Sequence, residues 1–215
     1  MSAQPVIECR LDHLVWAVPD LEQGVERLHD AIGTEPTEGG RHVGLGTANY
    51  LVGLDADAYL EVVGPDASQP QPGVERPFGI DRLQGRPRLV TFAVRVDDIE
   101  ASAEALARAG FDPGPSFAMQ RALPSGGVLS WRLTRVSEWG GGVVPFLIEW
   151  GDNVHPSQSC ASHARLDQLR AQHPDRERVR EVWSAMGLQH VVSPGPVARL
   201  EATITGPRGS TRLTG

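Results

Sequence analysis

The chain has 215 residues, of which 40% are apolar and 22% charged, and its formal net charge is −7. That length buries one good core or two closely packed ones. The acidic balance argues against nucleic acid as a main partner. No apolar run is long enough to span a bilayer and the N-terminus carries no apolar signal core, so a cytoplasmic protein with no membrane partner is expected.

Residues 1–9 read as a short lead-in, and a first module is expected over 10–65. Leu11-Asp12-His13-Leu14-Val15-Trp16-Ala17-Val18 alternates as a strand. Leu14, Trp16 and Val18 fall on one face, and Leu11, His13, Val15 and Ala17 on the other. Pro19-Asp20 stops it and Asp20 caps a helix. Leu21, Val25, Leu28 and Ile32 repeat at helical spacing until Gly33 ends it. Gly39-Gly40 reads as a turn into a strand at Arg41–Thr47. A second strand follows through Ala48-Asn49-Tyr50-Leu51, then a hairpin turn at Asp55-Ala56-Asp57, then Tyr59-Leu60-Glu61-Val62-Val63. Gly44-Leu45-Gly46 is no nucleotide loop, because no helix follows it. Residues 65–87 form a long irregular connection with Phe78-Gly79-Ile80 as an anchor, and such a loop is either functional or a linker.

The same pattern returns over 88–152. Leu89-Val90-Thr91-Phe92-Ala93-Val94-Arg95-Val96 aligns with the first strand without a gap, Thr91 standing where His13 stood. Its helix ends at Gly110. Strands follow at Phe117–Arg121, Val128–Thr134 and Val144–Trp150. After a polar connector, residues 164–215 repeat the order more faintly, with a charged helix and strands near 189–192, 198–205 and 210–213. A repeat this long is duplication of a strand–helix–strands module rather than a solenoid. Cys9 and Cys160 lie in no CxxC pair and make neither a cysteine metal site nor a strong case for a disulfide.

Chemistry concentrates at repeated positions. His13 and Thr91 are third in the first strand of each module, and Glu61 and Glu149 sit in the last strands, embedded in apolar runs. A buried carboxylate without a partner is costly, so each needs a cation, a metal or a proton. One histidine and two glutamates suit Zn, Fe, Mn, Ni or Co, with water completing the shell. The plain alternatives stand beside this. His13 is then a core histidine bonded to Asp12 or a carbonyl, and the glutamates pair with Arg121 or Arg132. Asn49, His42, Thr91 and Arg132 are further candidates for contact with a ligand. Trp131 and Trp150 serve either as an apolar wall or as core. His155 follows the Glu149 strand and either folds back as a substitute ligand or proton carrier or simply makes a turn.

The module order, the duplication and His13–Glu61–Glu149, with Leu11-Asp12-His13-Leu14-Val15, Gly46-Thr47-Ala48-Asn49-Tyr50, Tyr59-Leu60-Glu61 and Phe146-Leu147-Ile148-Glu149-Trp150, resemble the vicinal oxygen chelate superfamily and, within it, the glyoxalase-like domain proteins. The resemblance implies an α+β fold of paired βαβββ modules forming a cupped mixed sheet with helices outside, plus a third partial module. It implies a divalent metal in the cup, held by His13, Glu61 and Glu149, with one glutamate free to move a proton. The activity it implies is that of a lyase, isomerase or dioxygenase acting on a small oxygen-rich or aromatic molecule. Thr91 departs from the pattern, since relatives that bind metal carry a ligand there. The other outcome is therefore a metal-free protein of the drug-sequestering kind that binds a small molecule. In the third module Gln168 replaces His13 and no glutamate appears in the last strand, so no metal is expected there. Its apolar face (Leu200, Ala202, Ile204) must be covered, as packing against the first two modules does, and its sheet edge must be protected, so a homodimer paired through residues 164–215 is expected, with a monomer merely buttressed by this module as the alternative.

Overall fold

The computed structural model describes residues 5–70, 72–161 and 163–215. Most of the lead-in (1–4) and positions 71 and 162 of the two connectors lie outside the described residues. The first module runs β1 (Arg10–Ala17), α1 (Leu21–Ile32), β2 (Thr37–His42), β3 (Thr47–Gly53) and β4 (Tyr59–Pro65). The second runs β5 (Arg88–Arg95), α2 (Ile99–Arg108), β6 (Phe117–Ala122), β7 (Val128–Leu133) and β8 (Phe146–Glu149). Their eight strands curl into a closed barrel in the order β1-β4-β3-β2-β6-β7-β8-β5. Within each module the first strand lies parallel to the last, β1 on β4 and β5 on β8. The modules join at two seams, a long antiparallel one between β1 and β5 and a short one between β2 and β6 at Arg41–Ala122.

Strand alternation divides the apolar residues between two cores. Leu14, Trp16, Val18, Phe92, Val94 and Val96 face outward and pack with Leu28 and Ile32 of α1 and Ile99 and Leu106 of α2. Val15, Ala17, Tyr59, Val63, Ala93, Phe146 and Ile148 face the interior. Each large apolar side chain so buried contributes roughly 1.5–3 kcal/mol. The larger outer core therefore carries most of the stability and leaves the interior free to hold polar groups.

Local chemistry sets the helix ends. Asp20 Oδ1 accepts the Gln23 N–H at 3.0 Å, and Gly33 ends α1 in the left-handed region at φ 74°. Asp20→Ala is expected to cost about 1 kcal/mol, read by urea denaturation; a variant as stable as the parent would show that the cap contributes nothing.

Two local expectations change. Gly39-Gly40 is no turn: β2 runs straight through it, with an extra residue between Glu38 and Gly40 in its pairing with β3. Leu11 does not share the face of His13 but packs against the outer core. The long connection packs onto the barrel rather than hanging free. Ile80 and Leu83 enter the interior core, and Arg76 bonds the Gly46 carbonyl (2.9 Å) and Asp81 (2.6 Å).

The last segment runs β9 (Arg165–His173), α3 (Arg176–Ala185), β10 (Val191–Pro194), β11 (Arg199–Gly206) and β12 (Gly209–Thr214). Its element order repeats that of the modules but its wiring differs. In the four-stranded sheet β10-β9-β11-β12, the first strand pairs with β10 and β11, not with the last strand. Leu200, Ala202 and Ile204 lie in the outer core beside Ile32 and Phe92, and the Arg208 N–H donates to the Ile32 carbonyl at 2.9 Å. The apolar face is thus covered within the chain. No helix among the described residues is long and apolar enough to cross a membrane.

Candidate functional site

The site begins with a break in strand alternation. The β1–β5 register shifts between Leu11 and His13, so Asp12 is the extra residue of a β-bulge. A bulge re-aims side chains. Here it lets the neighbours Asp12 and His13 meet side by side and sends Leu11 outward. Asp12 is fully buried. Its Oδ1 accepts from His13 Nδ1 at 2.6 Å, and its Oδ2 accepts from His155 Nε2 at 2.9 Å and Trp150 Nε1 at 3.0 Å. Burial pushes the Asp12 carboxyl up, but hydrogen bonds from His13 and His155, with their charge, outweigh it and hold the group well below the usual carboxylate range.

These bonds assign the ring protons. The Ser157 backbone N–H donates to His155 Nδ1 at 3.3 Å. Nδ1 is therefore an acceptor, and Nε2 carries the proton given to Asp12. His13 gives its Nδ1 proton to Asp12, which turns Nε2 toward Glu61 Oε2, 3.9 Å away. The ring is stacked on Tyr59 at 4.7 Å and meets the edge of Phe146 at 5.6 Å, which leaves it little freedom to rotate.

Glu61 pairs in register with Val15 and points inward with it. Its Oε1 accepts from Asn49 Nδ2 at 2.6 Å, and Asn49 Oδ1 accepts from Arg121 Nη1 at 3.2 Å. A row His13–Glu61–Asn49–Arg121 thus runs along one wall of the barrel. His42 stands beside it, bonded to Thr47 Oγ1 at 3.0 Å. Burial holds its pKa below the ordinary value, with Glu61 pulling it up and Arg121 pushing it down. Burial, then the charges of Asp12 and Glu61, keeps the Tyr59 hydroxyl protonated well above its usual range. The row borders a cavity of about 680 Å³, and Phe78, Phe117, Trp131, Phe146 and Trp150 form much of its apolar lining.

The structure thus gathers His13, Glu61, Asn49, His42 and Trp131 around one space, and it separates the others. Glu149 is elsewhere. The gap-free repeat puts Ala93 in the place of Val15; Ala93 pairs with Phe146, as Val15 pairs with Glu61. Phe146 is therefore the counterpart of Glu61. Glu149, three residues on, faces the opposite side, where its Oε2 accepts the Ile99 N–H at 2.8 Å and caps α2. Arg132 is exposed and bonds Glu100 and Ser116 outside the barrel. Thr91 lies across from Val15 with its hydroxyl buried and unpartnered among the described residues, and it does not border the cavity. His155 does fold back, but behind His13, where it serves Asp12.

A divalent metal fits this donor set poorly. Of the four positions the duplication relates, His13 and Glu61 can ligate, whereas Thr91 and Phe146 are a poor ligand and none. Among the described residues no group of three His, Cys, Asp or Glu side chains is placed to hold a metal ion. An open catalytic centre needs three protein ligands, and the Arg121 cation already shares Asn49 with Glu61. Asp12 and Arg121 enter the sequence reading only as partners, of His13 and of the glutamates; the structure makes both members of the site, with Arg121, from the other module, bonded to Asn49 rather than to a glutamate.

Comparison with known proteins places this architecture. A hypothetical protein from Staphylococcus aureus superimposes with a TM-score of 0.64 at 14% identity, over 88% of each chain, a likeness of fold alone. Methylmalonyl-CoA epimerase from Mycobacterium tuberculosis overlaps less closely, with a TM-score of 0.44 and 22% identity over 69% of this chain and 92% of its own. For methylmalonyl-CoA epimerase in complex with methylmalonyl-CoA and NH4+ the figures are 0.48 and 19%, over 68% of this chain and 97% of that one. No curated protein matches in sequence. The model of the glyoxalase-like domain matches residues 11–187, from the bulged strand through the third helix, and the chain accordingly belongs to that family, within the vicinal oxygen chelate superfamily.

Proposed function

We propose that the chain is an enzyme that moves a proton on a small organic molecule held in the barrel cavity, with His13 as the group that takes and returns it. The observation that carries this reading is the Asp12–His13 bond of 2.6 Å, with His13 Nε2 left facing Glu61 at the cavity wall. A buried carboxylate on Nδ1 fixes the ring's tautomer and stabilises the imidazolium formed when Nε2 accepts a proton. In the simplest step a proton leaves a carbon next to a carbonyl for Nε2 and the electron pair moves onto the carbonyl oxygen. Return of the proton from Nε2 to the same carbon, as the electron pair moves back off the oxygen, restores the carbonyl with exchange, and return to the γ-carbon of a dienolate completes an isomerisation with no co-reactant. The aromatic walls exclude water from the enolate.

Incubation in D2O with a panel of 2-oxo acids and aryl ketones tests this. Wild-type protein is expected to catalyse deuterium uptake into at least one member, and His13→Gln to lower that rate by about 10²-fold or more. The exchange is expected to survive chelation; its loss on chelation and return with Zn, Fe, Mn, Ni or Co would restore the metal-dependent reading. The tilted pair of Trp131 and Trp150, 5.4 Å apart, favours a second reading, a binder without chemistry. Panel members that bind but exchange no faster with wild type than with His13→Gln would establish that reading instead.

A further inference from the structure

We infer that the cavity's ligand carries a carboxylate, or an oxyanion of the same planar shape, and that Arg121 takes it. This rests on the proposed cavity reading and names the class of molecule that enters. Arg121 is 4% exposed, on β6, and borders the cavity. A buried guanidinium is stable only when an anion or several acceptors meet it. Here one acceptor is present: Nη1 donates to Asn49 Oδ1 at 3.2 Å. Nε is buried with no partner, and among the described residues no carboxylate forms an ion pair with the group. The free Nε–Nη2 edge is the one that grips a carboxylate with two parallel bonds.

The surroundings hold that edge in place. A Cβ on Gly39 would stand 2.3 Å from Asn49 Oδ1 and 3.0 Å from Arg121 Nη1, so the absence of a side chain there makes room for the Asn49–Arg121 bond. Glu61 does not satisfy the guanidinium, because Asn49 lies between them and bonds both. The remaining charged groups of the lining, Glu75, Arg135 and Glu138, are not bonded to Arg121. A molecule whose carboxylate sits on Arg121 lies along the row that ends at His13, with its apolar body against Trp131, Trp150 and Phe117. Small aryl or alkyl carboxylic acids have that shape.

Calorimetric titration with 2-naphthoate, 2-naphthamide and 2-naphthylmethylammonium tests the inference, since the ring system is constant and only the head changes. On wild-type protein the carboxylate is expected to bind on the order of tenfold tighter than the amide, and the ammonium weakest. Arg121→Gln is expected to bring the carboxylate down to the amide while leaving the amide unchanged. Arg121→Lys, which keeps the charge without the fork, is expected to fall between them. An amide or ammonium that binds wild type as tightly as the carboxylate overturns the inference and leaves the cavity reading intact. Failure of all three probes to bind overturns both. The wild-type comparison decides even where a variant does not fold.

Discussion

Asp12→Asn is expected to cost about 3–5 kcal/mol of folding stability at neutral pH, the loss typical of breaking a buried charge network. One carboxylate accepts from His13, His155 and Trp150 in a site closed to water. An amide keeps one acceptor oxygen and turns an N–H₂ against donors that have no other partner. The sign of the pH dependence follows from the carboxyl, which is held well below its ordinary value in the fold. Below about pH 4 the unfolded chain binds the proton and the folded chain does not, so stability falls as pH falls. The wild-type advantage over Asp12→Asn is therefore full above about pH 4 and shrinks as the pH drops further. The second readout is the His13 ring, which should lose its Nδ1-protonated preference in ¹⁵N NMR spectra. Urea denaturation at pH 7 placing the variant within about 1 kcal/mol of wild type, with the tautomer unchanged, would remove Asp12 from the site.

Gly40→Ala is expected to be about as damaging, at 3 kcal/mol or roughly that, for a different reason. Gly40 has φ 137°, and a Cβ there would lie 2.1 Å from the Ala122 carbonyl oxygen. No flexible side chain can move aside, since both surfaces are backbone. The clash falls next to Arg41–Ala122, where β2 meets β6. The seam must open there, and Arg121, whose Cδ is 3.6 Å from the same Cβ position, must move with it. Gly44→Ala is the control. It also has positive φ, 80°, but nothing within 4 Å of its Cβ position, so it carries backbone strain alone, about 1–2 kcal/mol. Equal losses in the two variants by denaturant titration would show that the contact at the seam has no consequence of its own. The expected result is a larger loss for Gly40→Ala and a weakened carboxylate preference in the probe titration.

Much of the fold was legible because it follows from properties of one segment at a time. Period-two alternation in β1 and β5 marks Leu14, Trp16, Val18, Phe92, Val94 and Val96 as one kind of surface, and these are the residues under the helices and the four-stranded sheet. Asp20 and Gly33 bound α1 as cap chemistry requires. The order strand, helix and three strands appears in both modules, and the quoted phrases around His13 and Glu61 resemble the family to which the chain belongs. His13 and Glu61, both on inward positions of their strands, do face each other.

What the chain by itself determined is therefore the set of elements, their apolar faces and the two candidate site residues, His13 and Glu61, that obey simple alternation. Register and bulges belong to pairs of strands, and only the tertiary structure decided them. The bulge at Asp12 brings two sequence neighbours to one side and sends Leu11 to the other. The β5–β8 register makes Phe146, not Glu149, the partner position of Glu61, and an odd offset of three puts Glu149 on the outer face. Closure of the barrel carries Arg121 to Asn49, 72 residues away in the chain. The physical reason is common to the first two. A side chain's face changes with each residue of slip, so a one-residue difference that leaves composition and periodicity almost untouched exchanges cavity for exterior.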